Sequence, residues 1–260
     1  YSKKIDDRNF ARIISKRLNT EHHELEINTK KVLNELDESL HAFDQPFGGV
    51  ISSYYLSKYT SKYVKTCLSG DGADELFGSY KFPRLIASNY SNSKIGNLSL
   101  SKIKDDTLNF NSKERIHLIN KLNKNLNLKN IKYYKKVLDS HNCDDLLNKS
   151  LLLDFKTLLT DQVLSFVDIH SMAHSLEVRP PFLDNRLIDL SFKIPGSQKI
   201  KDGIVKKVLK KSLEKILPQN LIYRKKEGFV MPIEEIFIKK NKKLIKSKLS
   251  KKKLNNHNFL

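Results

Sequence analysis

Apolar residues recur along this chain at two spacings, and the switch between them predicts the order of elements. Phe10, Ile13, Ile14 and Leu18 share one face of a 3.6-residue period and predict a helix over 9–18. Residues 24–27 alternate Glu-Leu-Glu-Ile and predict a short strand. Asn28 or Thr29 is placed to cap a helix bearing Val32, Leu33, Leu36 and Leu40. Residues 43–49, with Pro46 and two glycines, read as a loop, and 50–63 as a returning helix. Val64, Cys67 and Leu68 then mark a short buried strand over 64–68. This order is that of an α/β layer, read here as the rear part of a parallel sheet domain over 1–90.

Beyond residue 80 the strand signal fades. A Ser/Asn/Lys-rich stretch forms a variable segment over 91–145, and 81–130 predicts loops with one or two helices. Residues 133–138 resume a helical pattern. The 146–240 portion reads as a largely helical continuation. Its strongest signals are 146–167, with the run Leu151, Leu152 and Leu153, and 204–217, where Val205, Val208, Leu209, Leu213 and Ile216 oppose a lysine face. Pro180 and Pro181 open a loop-and-helix segment, Pro218 stops a helix, and 233–238 predicts another. The basic tail 241–260 is expected to fray.

Composition narrows the class. The chain has 260 residues, 39% of them hydrophobic, enough for one large domain or two small ones. Its formal net charge of +19 favours polyanions in principle. Most of that charge is lysine interspersed with asparagine, which reads as solvated surface, so nucleic acid is not the expected partner. Cys67 and Cys143 lie far apart, suggesting neither a disulfide framework nor a zinc site, and Cys67 reads as a buried thiol. No apolar run reaches membrane-spanning length and no secretory hydrophobic stretch opens the chain, so a cytoplasmic setting is expected.

Candidate chemistry gathers in three places. The run SGDGADELFGSY at 69–80 follows the predicted strand directly. Gly70 and Gly72 permit a tight turn or the close approach of a ligand. Asp71, Asp74 and Glu75 stand where open α/β sheets bind ligands, and such a cluster needs a cation or an ammonium beside it. Asx-turn and N-cap roles for these acids are the structural alternative. The second place, 168–184, holds His170 and His174 at helical spacing, but Ser171 stands where a zincin needs glutamate. Glu177, Arg179 and Asp184 there suggest a charge network bracing a loop. The third is the basic run 223–229, suited to holding a phosphate or, equally, to a lysine-rich surface loop.

At these three places the chain resembles the synthetase domain of glutamine-hydrolysing asparagine synthetases and their amidotransferase relatives. SGDGADELFGSY, SMAHSLEVRPPFLDNRLIDLSFKIP and YRKKEGF occur in family order. The resemblance covers about 7–237 and weakens across 85–145. It implies an α/β fold containing part of an adenine-nucleotide alpha-hydrolase-like (ATP pyrophosphatase) domain, with a largely helical C-terminal half. It implies ATP and Mg2+ as cofactors and aspartate as substrate. ATP activates the aspartate side chain as an acyl-adenylate, and glutamine-derived ammonia then yields asparagine. Asp74 matches the family's magnesium-binding aspartate. Asp71 and Glu75 match acids near the amino-acid substrate, and Lys226 matches the phosphate-contacting catalytic lysine. Ser69, Gly70 and Gly72 match the turn lining the nucleotide and acceptor pocket. The partners implied are an N-terminal glutaminase domain and, for a full-length enzyme, a homodimer.

Departures from the pattern set further expectations. No SGGLDS-type pyrophosphate loop and no glutaminase nucleophile occur in this sequence. The chain therefore reads as a C-terminal part of such an enzyme, expected to be inactive alone. Ile169 replaces the arginine usual after the aspartate in the family pattern, which removes an arginine that could pair with Asp168 or a neighbour. A related amide-forming synthetase is the first alternative; an RNA-binding or non-catalytic scaffold is the second.

Overall fold

The apolar run at 151–153 marks the centre of the molecule. In a computed structural model of the chain, the residues described are 7–27, 32, 35–43, 51–91, 93–108, 111–121, 130–224, 242–248 and 250. Among them the helices are α1 (Arg8–Leu18), α2 (Leu36–His41), α3 (Ser52–Thr60), α4 (Ala73–Phe77), α5 (Lys81–Asn89), α6 (Asn97–Asp106), α7 (Ser112–Lys121) and α8 (Asn130–Asp139). Then come α9 (Leu146–Asp154), α10 (Leu164–Met172), α11 (Asn185–Lys193), α12 (Gly196–Lys199), α13 (Lys207–Leu213), α14 (Gln219–Ile222) and α15 (Lys242–Lys248). A π-helix, Phe155–Val163, joins α9 to α10 in one continuous rod.

Helix α9 packs against α4, α5, α8 and α12. Its Leu147 and Leu153 join Phe82, Ile86, Leu100 and Leu138 in the main core. Asp145 caps it, accepting from Asn148 N at 2.9 Å, while its other oxygen accepts from Gly196 N at 2.8 Å. One carboxylate thus starts two helices. A smaller cluster joins Tyr54 and Tyr55 of α3 to Val32.

Two strands, β1 (Thr66–Leu68) and β2 (Glu177–Arg179), pair in parallel with Thr66 opposite Glu177 and Leu68 opposite Arg179. The crossover between them is helical, as a parallel pair requires. β1 is not the buried strand expected: Leu68 is 73% exposed and Cys67 is half-buried. Burial still pushes the Cys67 thiol up. The strand expected at 24–27 does not form. Its alternation is physical, since Leu25 and Ile27 pack on the smaller cluster while Glu24 and Glu26 pair with Arg12 and Arg8 of α1. Among the described residues no neighbour supplies a hydrogen-bond ladder.

Other expectations also change. Leu40, placed on an apolar face, is exposed. The 81–130 stretch holds the helices α5, α6 and α7 and the start of α8, not one or two. Asn111 and Glu114 form a reciprocal capping box that begins α7, with bonds of 3.1 and 2.9 Å. Within the tail expected to fray, 242–248 is helical. The helix expected at 233–238 and the loop at 44–49 lie outside the described residues.

Candidate active site

The acidic turn leaves directly from the C-terminal edge of β1. Ser69 N donates to Arg179 O at 3.0 Å, extending the β1–β2 ladder by one bond. The Ser69 hydroxyl donates to Asp71 Oδ2 at 2.7 Å and fixes that carboxylate at the turn. Gly72 lies at φ +91°, and a Cβ there would come 2.4 Å from Leu183 Cδ2. The turn is therefore pressed against the 3-10 segment Pro181–Leu183. Gly70 differs, because a Cβ there would meet nothing within 4 Å. It faces open space.

The three carboxylates face three directions. Asp71 lines a cleft of about 400 Å³. Thr160, Ser165 and Asp168 from the π-helix and α10 form other parts of its wall, with Val178 and Pro180. Asp74 is half-buried. It accepts from the Ser79 hydroxyl and is ion-paired to Lys206 Nζ at 2.6 Å. Glu75, expected at a substrate ammonium, is instead 1% exposed and accepts from Tyr80 Oη at 2.7 Å. Burial pushes the Glu75 carboxyl above the usual range, against the pull of the Tyr80 hydrogen bond. Burial beside that carboxylate likewise raises the Tyr80 phenol.

Lys206 is the site residue that sequence reasoning missed. It precedes α13 at φ +54°, and its backbone N donates to Gly78 O at 3.2 Å. Its ammonium is the cation that the acidic turn calls for. In sequence it is one lysine on a lysine-covered helix, with only the nearby Gly203 turn to distinguish it. Asp74 has the hard oxygen a magnesium ion takes, and it already faces a cation. Among the described residues no group of three or more His, Cys, Asp or Glu side chains is arranged to hold a metal ion. A magnesium ion here would draw one carboxylate from Asp74 and its remaining ligands from phosphate and water.

The other two constellations resolve differently. His170 is buried between Phe43 and Tyr54, with ring centroids 4.8 and 5.9 Å away, and His174 lies 4.5 Å from the Tyr54 ring. This is an aromatic cluster. Ser171 donates to Asp168 O at 3.1 Å within its own helix. The expected charge network splits in two: Arg179 pairs with Glu177, while Asp184 pairs with Arg186 and caps α11. Tyr223 donates to Glu214, and Arg224 pairs with Asp7 above the Phe10 ring. Lys226 lies outside the described residues.

Comparison with known proteins points one way. The family described as Asparagine synthase matches residues 1–260. The chain is similar to asparagine synthetase [glutamine-hydrolyzing] 1 of Bacillus subtilis (strain 168), 31% identical over 238 residues, covering 80% of this chain and 37% of that protein. It is also 31% identical over 241 residues to asparagine synthetase [glutamine-hydrolyzing] 3 of the same organism, covering 86% and 36%. The asparagine synthetase of Rattus norvegicus is 27% identical over 228 residues, covering 84% and 31%. The chain thus spans about a third of the length of these relatives.

Proposed function

The chain belongs to the asparagine synthase family, and on that premise we propose that it carries the ATP-dependent amide-forming step of asparagine synthesis. The aspartate side-chain carboxylate attacks the α-phosphorus of ATP, and pyrophosphate leaves. Ammonia released from glutamine by a separate glutaminase domain then attacks the acyl carbon of the aspartyl-adenylate. AMP leaves, and the nitrogen loses a proton to solvent. The parallel pair is proposed as part of an ATP-pyrophosphatase-type sheet, in a cytoplasmic enzyme.

One observation carries this reading. An acidic turn sits at the C-terminal end of a parallel strand, with Asp71 facing a cleft and Asp74 facing a cation. Carboxyl ends of parallel strands are where open α/β sheets bind ligands. Asp71, with Ser69 and Gly70 beside it, is placed to meet the substrate ammonium. Gly72 lets the turn close on Leu183. Asp74 would hold magnesium, which when bound supplies charge to offset the pyrophosphate. Lys206 supplies charge to the same place, and the family resemblance assigns Lys226 to phosphate. Glu75, buried behind the turn, positions it through Tyr80.

The test is aspartate-dependent ATP–pyrophosphate exchange by the protein that carries this chain. Asp74→Asn is expected to lower exchange by about 100-fold or more, the scale of losing one preorganised charge contact. Exchange that is indifferent to aspartate, or unchanged in the variant, would overturn the reading. Exchange driven by another carboxylic acid would indicate a related amide-forming synthetase.

A further inference from the structure

The helical half holds a second cavity, of about 770 Å³, sharing no lining residue with the Asp71 cleft. Asp154, the last residue of α9, is among its lining residues and has 0% exposure. One of its oxygens holds the Lys104 ammonium from α6, which is itself buried and sits 5.2 Å from the Phe82 ring centroid. The other, Oδ2, is equally buried and has no hydrogen-bond partner among the described residues. A buried carboxylate oxygen left this way is costly, and it calls for a donor.

The rest of the lining says which donor. Phe82, Tyr133 and Tyr134 supply aromatic wall. Arg115, paired with Asp105 at 3.0 Å, and Lys81 bring positive charge to the lining, and Asp161 brings negative charge. A purely cationic ligand would meet Lys104 and Arg115. A purely anionic one would meet Asp154 and Asp161. A molecule carrying an ammonium and a carboxylate a few bonds apart, with an apolar side chain, matches all three features. The volume lies within the range of small-molecule sites.

We propose that this cavity binds a free α-amino acid with an apolar side chain, its ammonium on Asp154 Oδ2 and its carboxylate toward Arg115. The proposal does not rest on the amide chemistry, although Tyr80, which holds Glu75 behind the acidic turn, also lines this cavity. The experiment is calorimetric titration and thermal melting of the protein carrying this chain with L-phenylalanine and L-leucine. Phenethylamine and 3-phenylpropionate serve as probes bearing one charge each. Saturable binding of an amino acid is expected, with each single-charge probe about tenfold or more weaker. Removing the buried pair as a unit, Lys104→Met with Asp154→Leu, is expected to keep the fold and weaken binding by about tenfold or more. Gln162→Trp, at the exposed mouth, obstructs entry without touching the core and decides the matter should the double variant not fold. No binding at about 10 mM, equal binding by either single-charge probe, or undiminished binding in a folded variant would overturn the proposal.

Discussion

Gly72 makes the sharpest demand of any single position in the candidate site. Its φ of +91° is disfavoured for any residue with a Cβ, and the added atom would strike Leu183 Cδ2 at 2.4 Å. The Leu183 side chain can rotate aside, but the backbone conformation cannot be relieved that way. Gly72→Ala is therefore expected to lower stability by about 1–3 kcal/mol, read from the urea midpoint. Gly70 supplies the contrast, since its missing Cβ faces open space. Gly70→Ala is expected to hold stability within about 0.5 kcal/mol while lowering exchange activity. The reverse pattern would mean the two glycines have each other's roles. The sequence spacing announced a turn that needs glycine. It did not say which glycine meets the fold and which meets the cleft, because that depends on Leu183, far along the chain. Lys206 was hidden for the same reason, since little beyond the nearby Gly203 turn separates an ammonium that meets Asp74 from its solvated neighbours.

At the scale of elements, legibility followed how local the cause was. The helix over 146–167 was readable because its apolar spacing is dense, but the π-helical Phe155–Val163 within it was not. Over so few turns, hydrophobic spacing does not separate one helical period from a wider one. β2 is three residues beside Pro180 and Pro181, and it is a strand only because β1 lies next to it. The segment 24–27 is the converse, with a correct alternation and no partner. α7 was legible in principle through its Asn111–Glu114 box, which a Lys- and Asn-rich background concealed. Asp145 shows what one cap does for packing. It satisfies Asn148 N at the start of α9 and Gly196 N at the start of α12, so it ties together two elements far apart in sequence. Asp145→Ala is expected to cost about 1–3 kcal/mol, because it strands two backbone donors. Thermal unfolding measures it, and a loss below about 0.5 kcal/mol would show that water replaces the carboxylate at little cost.

Across the whole molecule, the histidine pair joins parts that the chain brings together from three regions. His170 of α10 packs between Phe43, after α2, and Tyr54 of α3, with Phe166 on its own helix and His174 one turn on. Charge nearby comes from Lys58, which pairs with Glu35 and Glu38 at 3.2 and 3.4 Å. Burial, and then the repulsion that a protonated His174 exerts, hold His170 down at about 4. Burial and then Lys58 lower His174 as well. His170 is therefore neutral in the folded chain at pH 7, whereas an unfolded histidine titrates near 6.5. Between those values the unfolded state binds more protons, so stability rises with pH there. The contribution of His170 is complete above about pH 6.5 and is lost as pH falls toward 4. The slope is at most about 1.4 kcal/mol per pH unit for each histidine. Urea midpoints between pH 7 and 5 are expected to fall for the natural chain and to fall less for His170→Phe, whose ring suits the aromatic surroundings and takes up no proton. Parallel slopes for the two would mean that the α3–α10 junction is indifferent to the charge of His170, and that acid sensitivity arises elsewhere.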